Sequence, residues 1–223
     1  MIEIYALNTH TSSTKKSDIQ RHGYDFQNKI REEDIPNPPT ISALDHRLVK
    51  RIISEKKNIN PSTVEFGYTK YGKPFVKKWR NLHFNISHSG SWIVCAIGQK
   101  PVGIDIQIIY PVSLQIAKKF LSETEFSDLV NVDEKERMQY FFELWTLKES
   151  FLKTIGRGFN FPFRSISIKN RGGKFFIENN PFPIDFYFKQ YNIGSSYKMA
   201  LCSTENCIND FINEVNYETM IQE

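Results

Sequence analysis

The segment from Leu82 to Gln107 constrains this chain most. Three short runs, Leu82–Ser87, Trp92–Ile97 and Val102–Gln107, are separated by turn-forming stretches at His88–Ser91 and Gly98–Pro101. Runs of that length between such turns read as strands of an antiparallel meander. In the third run, strand alternation places Val102, Ile104 and Ile106 on one face and Gly103, Asp105 and Gln107 on the other. The glycine leaves room beside the acid, as a ligand-facing surface requires.

The rest of the chain supplies helices and further strands. Met1–Tyr5 reads as a strand, and residues 10–40 as a loop ending in prolines at 36, 38 and 39. From Ile41, apolar residues recur at Leu44, Leu48, Val49, Ile52 and Ile53, which is helical spacing. Thr63–Tyr68 alternates as a short strand before the turn Tyr71-Gly72-Lys73-Pro74. Leu114–Leu121 reads as a helix, and Ser122-Glu123-Thr124-Glu125 is a capping box that starts a second one. Arg137–Ile155 then forms a long helix closed by Gly156. Strands follow at Ser165–Lys169, Lys174–Glu178, Ile184–Tyr191 and Tyr197–Ser203, with Gly172-Gly173 as a hairpin turn. Each half thus offers a helix and several strands, an α+β class with a pseudo-duplicated architecture and a junction near residues 104–112.

Composition excludes several function classes. With 40% hydrophobic and 24% charged residues, the 223-residue chain can bury a core. A net charge of +4 is too mild to demand nucleic acid and suits an anionic ligand or an acidic protein partner. The three cysteines lack metal-type spacing, and Cys95 and Cys202 in apolar runs read as buried thiols. No signal-peptide pattern opens the chain, and no apolar run approaches the ~18 residues of a membrane helix, so a cytoplasmic monomer is expected.

Two carboxylates carry the chemistry. Asp105 on its short strand reads either as a strand-end acid or, given the flanking isoleucines, as a residue aimed at a ligand. Glu149 and Lys153 lie one helical turn apart, which can be mere surface decoration worth roughly 0.2–0.5 kcal/mol. Trp145 and Phe142 share the stripe of Glu149, however, and a carboxylate beneath aromatics is only partly wet. Lys148 lies instead with Phe141, Leu144 and Leu152 and is read as snorkelling from an apolar face. His88 either bonds its own turn or binds phosphate with the Ser/Gly turn. Two separated acids with a histidine and lysines are the groups that Mg²⁺-assisted phosphate chemistry needs.

Together these segments resemble the surfactin-synthetase-type 4′-phosphopantetheinyl transferases. The resemblance rests on Tyr71-Gly72-Lys73-Pro74, Phe84-Asn85-Ile86-Ser87-His88-Ser89-Gly90, Val102-Gly103-Ile104-Asp105, and Trp145 followed by Lys148-Glu149-Ser150-Phe151 and Lys153; Tyr197-Lys198-Met199-Ala200 is also similar. It implies that fold, with two pseudo-duplicated α/β halves and an active site at their junction. Residues 1–104 would bind coenzyme A, and residues 105–223 would supply metal binding, catalysis and carrier docking. Coenzyme A would donate its 4′-phosphopantetheine to a serine of a peptidyl or acyl carrier protein, as in non-ribosomal peptide and antibiotic synthesis, releasing adenosine 3′,5′-bisphosphate. Asp105 and Glu149 would hold Mg²⁺, with Gln107 acting through a water. Glu149 would accept the serine proton, and Lys153 would stabilise the departing nucleotide. His88 with Ser87 would touch the coenzyme phosphates, and Lys73 the nucleotide. Leu114, Ile116 and Phe120 would face the carrier.

The chain departs from the family at two places. Gln107 stands where many bacterial members carry an acid, and residues 28–40 hold Lys29 and Arg31 but no clear match to the basic coenzyme-binding segment. The rival readings are a non-catalytic module binding coenzyme A or a carrier, and an unrelated Mg²⁺ phosphodiesterase using an activated water.

Overall fold

The first strand, β1 (Ile2–Asn8), and the first helix, α1 (Ala43–Lys57), appear where the sequence places them, in a computed structural model that describes residues 1–9, 43–158 and 161–221. The loop expected over residues 10–40 lies outside the described residues. α1 buries Leu48, Val49, Ile52 and Ile53, one apolar stripe of an otherwise polar helix. A 3₁₀ turn at Pro61–Thr63 follows, capped by Asn60, whose side-chain oxygen accepts from the Ser62 amide at 2.9 Å. That turn removes Thr63 from the expected strand. β2 (Phe66–Tyr68) is therefore short, and it pairs with β3 (Pro74–Val76) across the Gly72-Lys73 turn.

β4 (His83–Ser89) and β5 (Trp92–Gly98) form the expected antiparallel hairpin. The third strand of the meander, β6 (Val102–Ile108), does not join them. It pairs instead with a strand roughly ninety residues later, and the expected three-stranded meander splits between two sheets. The capping box is present. α2 (Leu114–Phe120) ends before Ser122, which opens α3 (Glu123–Asn131), with the Ser122 and Glu125 side chains each bonding the other's backbone amide. α4 (Arg137–Ile155) is the long helix, and Gly156 closes it at φ 68°, a left-handed conformation that suits glycine.

Beyond it lie β7 (Ser167–Arg171), β8 (Lys174–Glu178), β9 (Tyr187–Tyr191) and β10 (Tyr197–Ser203). β7 starts later than expected because Phe163–Ser165 form a 3₁₀ turn, and β9 starts after the proline-containing stretch 181–183. Sequence reading missed β11 (Ile208–Val215) and α5 (Tyr217–Ile221). β11 pairs parallel to β1, returning the C-terminal segment to the N-terminal half.

The strands form two main sheets, ordered β11-β1-β5-β4 and β6-β10-β9. Period-two alternation explains how they stack. Ile2, Ile4 and Ala6 of β1 and Val94 and Ala96 of β5 share one core with Val102, Ile104 and Ile106 of β6 and Met199 and Leu201 of β10. The sheets therefore face each other across this layer. On the outer side of the first sheet, Ile93, Cys95 and Ile97 pack against α1. On the outer side of the second, Ala200 and Cys202 join a core built on α4. Both cysteines are fully buried as free thiols, and burial pushes the Cys202 thiol up to about 12.

Gly103 faces α4, and a Cβ there would stand 2.1 Å from the Ser150 carbonyl oxygen and 2.5 Å from the Thr154 amide nitrogen. The space beside Asp105 that sequence reading assigned to a ligand is thus filled by helix backbone. Neither clashing atom can move without shifting α4. Gly103→Ala should cost at least about 1–3 kcal/mol, the usual range for overpacking, read as a lower urea midpoint. An unchanged midpoint would contradict this packing.

Candidate active site at the seam between the sheets

The two sheets meet along a seam where β4 lies beside the free edge of β6. Antiparallel pairing to β10 satisfies one edge of β6. On the other edge, side chains of β4 stand in for a neighbouring strand. Asn85 Oδ1 accepts the Ile104 amide at 2.8 Å, Ser87 Oγ accepts that of Ile106 at 3.4 Å, and Ser89 Oγ accepts that of Ile108 at 2.9 Å. Asn85, Ser87 and Ser89 are all buried, so each bond answers an amide that would otherwise lose its water unpaired. Sequence reading missed Asn85 and Ser89. The signal was available, since Asn85, Ser87 and Ser89, with His83, alternate with Phe84 and Ile86 along β4 and mark one polar face.

That face meets Asp105 and Lys153. The Lys153 ammonium donates to Asp105 Oδ1 at 2.6 Å, to Ser87 Oγ at 2.9 Å and to the Ile104 carbonyl at 3.1 Å. Ser87 Oγ lies 2.8 Å from the same Asp105 oxygen and donates to it. Asp105 is fully buried, while the Lys153 side chain keeps 23% exposure. Gln107 is buried farther along β6, with its amide oxygen 3.4 Å from Ser89 Oγ.

The course of α4 over β6 follows from contacts at both ends of the pair. Val102, at the start of β6, is linked through Lys73 to the carbonyls of Lys153 and Thr154 at the end of the helix. Past the other end of β6, the Tyr110 ring packs 5.0 Å from Phe142, and the Val112 amide meets Met138 Sδ at 3.2 Å. Helix and strand thus run antiparallel. Lys153 is level with Asp105, while Glu143 pairs with Lys198, the β10 partner of Gln107. Four helical residues advance about 6 Å, close to the two-residue step from Asp105 to Gln107. Glu149 precedes Lys153 by one such turn of α4. It is buried, and Trp145 and Phe142 on its stripe are fully so.

These groups suit a hard divalent cation. Asp105 Oδ2 is buried with no hydrogen-bond partner, a costly state for a carboxylate oxygen unless something positive completes it. Carboxylate and amide oxygens are the donors that Mg²⁺ takes. Among the described residues, no group of three or more His, Cys, Asp or Glu side chains gathers as a metal cluster.

Other expected site residues lie elsewhere. His88 alternates with Phe84 and Ile86, pairs with Ile93 and so occupies the α1 side of β4, opposite Ser87. Lys73 turns its ammonium inward onto backbone carbonyls of Val102, Lys153 and Thr154, and burial lowers its pKa to about 8. Lys148 does not snorkel. It is 1% exposed and ion-paired with the equally buried Glu125, and it also donates to the Phe120 carbonyl at 3.1 Å. Leu114, Ile116 and Phe120 are half-buried against the α4 core, and Phe120 packs edge-on to Trp145, so it is the least available of the three to a partner.

The family description "4′-phosphopantetheinyl transferase superfamily" matches residues 101–202, and "4′-phosphopantetheinyl transferase, N-terminal" matches residues 40–100. The 4′-phosphopantetheinyl transferase Sfp of Bacillus subtilis (strain 168) is 40% identical over 175 residues, 78% of each chain. The chain belongs to the 4′-phosphopantetheinyl transferase superfamily. The 4′-phosphopantetheinyl transferase ffp of Bacillus subtilis is 37% identical over the same shares of both chains, and gsp of Aneurinibacillus migulanus is 37% identical over 73% of this chain and 68% of its own. Among solved structures, Thermotoga maritima holo-[acyl-carrier-protein] synthase overlaps 46% of this chain and 61% of its own at 22% identity and a TM-score of 0.40, too loosely to guide the reading of the site. The fold is thus the α+β fold of the superfamily. Its two family matches meet at the turn between β5 and β6. No helix among the described residues is long and apolar enough to cross a membrane.

Proposed function

We propose that this superfamily member is a Mg²⁺-dependent enzyme that transfers the 4′-phosphopantetheine of coenzyme A to a serine of a peptidyl or acyl carrier protein. The observation that carries this reading is the convergence of Asp105 from β6, Ser87 from β4 and Lys153 from α4 on one buried point, with Glu149 one turn away. In the reaction the serine oxygen bonds to the phosphorus that bears the pantetheine arm. The bond from that phosphorus to the bridging oxygen breaks, and adenosine 3′,5′-bisphosphate leaves.

Asp105, Glu149 and, through a water, Gln107 would hold the cation. A cation held there neutralises charge on the pyrophosphate. Glu149 accepts the serine proton, for which a buried carboxylate beneath aromatic rings is suited. Lys153, only partly buried, stabilises the departing phosphate with its ammonium. Ser87 orients Asp105 and Lys153 together. His88, on the opposite face of β4, is assigned to the phosphates of a coenzyme that wraps the strand end, not to the reacting centre. The N-terminal half supplies most of the coenzyme site, and the α2–α4 region supplies the carrier surface, with Leu114 and Ile116 as its apolar contacts.

Incubating the protein with Mg²⁺, coenzyme A and an apo carrier should add one phosphopantetheine group to the carrier mass. A chelator should abolish that gain, and excess Mg²⁺ should restore it. No mass gain, with coenzyme A bound intact, would favour the non-catalytic module. Hydrolysis of coenzyme A without any carrier would favour the phosphodiesterase.

A further inference from the structure

Helix α4 carries Glu149 and Lys153, and its last turn ends in carbonyls that no helical amide can answer. Lys73 answers them from another part of the chain. It sits in the turn between β2 and β3, and its ammonium donates to the carbonyls of Lys153 and Thr154 (3.4 Å for the latter) and to that of Val102 at 3.0 Å. Val102 opens β6, three residues before Asp105. One side chain therefore bonds the end of the helix bearing Glu149 and Lys153 and the start of the strand bearing Asp105.

Local sequence makes room for it. Gly72, at φ 81°, turns the chain so that Lys73 can point inward. A Cβ on Gly156 would stand 3.2 Å from Lys73 Cδ, so the glycine that closes α4 also clears the lysine stem. The position is a poor one for an ammonium that merely samples solvent. Burial depresses its pKa, and the neighbouring Lys153 depresses it further. The cationic form is kept by the three carbonyls and by its place at the negative end of a helix.

We propose that Lys73 is a positioning residue of the transfer reaction, fixing α4 against β6 and so setting the spacing between Glu149 and Asp105. This rests on the transferase reading, and it differs from the nucleotide contact that the family resemblance implied for Lys73. An ammonium whose donors are committed to backbone carbonyls affects the chemical step through geometry, and displacements of about 1 Å can cost up to 10²-fold in rate.

The test is Lys73→Met, which keeps the apolar stem and removes every donor. The expected result is a kcat for carrier loading lower by roughly 10- to 100-fold, with the KM for coenzyme A within about twofold of wild type. Amide exchange in the last turn of α4 should quicken. Lys73→Arg keeps the charge and should recover part of the lost kcat. If Lys73→Met does not fold, Lys73→Gln gives the same split in milder form. A KM for coenzyme A raised tenfold with kcat retained would place Lys73 on the nucleotide and overturn the proposal. So would an unchanged kcat in a folded Lys73→Met protein. Absence of transfer by the wild-type protein is a different outcome, because it removes the transferase reading itself.

Discussion

Glu149→Gln is expected to lower kcat for carrier loading by at least about 10³-fold. Glutamine keeps the shape of the residue and removes both the proton acceptor and the negative charge. Loss of a general base alone typically costs 10²–10⁴-fold, and a cation partner is lost with it. The folded state should not suffer, because a carboxylate buried beside Trp145 and Phe142 is replaced by a neutral amide. The melting temperature of the variant should equal or exceed that of wild type. A kcat within tenfold of wild type, in a protein that still melts cooperatively, would remove Glu149 from the role of base.

Lys148→Met, one residue away, should have the opposite profile. Lys148 and Glu125 are both 1% exposed and pair with each other inside the α4 core. Glu125 also accepts the amides of Ser122 and Ile168, each at 2.8 Å, so it ties the start of α3 to β7. Burial works against the charge on Lys148, lowering its pKa, and Glu125 works to keep it. Removing one member leaves the other charge buried and unpaired, which costs about 3–5 kcal/mol. That loss would appear as a drop of roughly 6–20 °C in Tm for a domain of this size. The double variant Lys148→Met/Glu125→Gln should recover much of it, because no buried charge is left alone. A single variant within 1 kcal/mol of wild type would show that the pair does not hold these elements together.

These neighbours show what could be read from the chain. Local signals were sufficient for α4, whose end is fixed by Gly156, and for α3, whose start is fixed by Ser122 and Glu125. The faces of β6 followed from alternation alone, and so did the separation of Asp105 from the isoleucines. The pairing of β6 was not legible. Its hydrogen-bonded partner is β10, and its other edge is satisfied by the side chains of Asn85, Ser87 and Ser89, which no strand propensity encodes. Lys148 was misread because its partner, Glu125, is brought to it by tertiary packing. β11 was missed because Asn209, Asp210, Asn213 and Glu214 break its apolar pattern, and pairing with β1 supplies what composition does not.

His88 is a different case. The alternation Phe84, Ile86, His88 places it on the face of β4 opposite Ser87. The acid pair was legible as two motifs. The packing of α4 against β6, the elements that carry them, depends on Gly103, which lets the helix backbone touch the strand.

In the proposed enzyme, carboxylates from two separate elements would share one cation. Mn²⁺ binding measured by electron paramagnetic resonance, with coenzyme A present, tests it most directly. Asp105→Asn and Glu149→Gln should each weaken Mn²⁺ binding by at least tenfold, and the double variant should bind little more weakly than either single one. Wild-type Mn²⁺ affinity in either single variant would contradict the shared site.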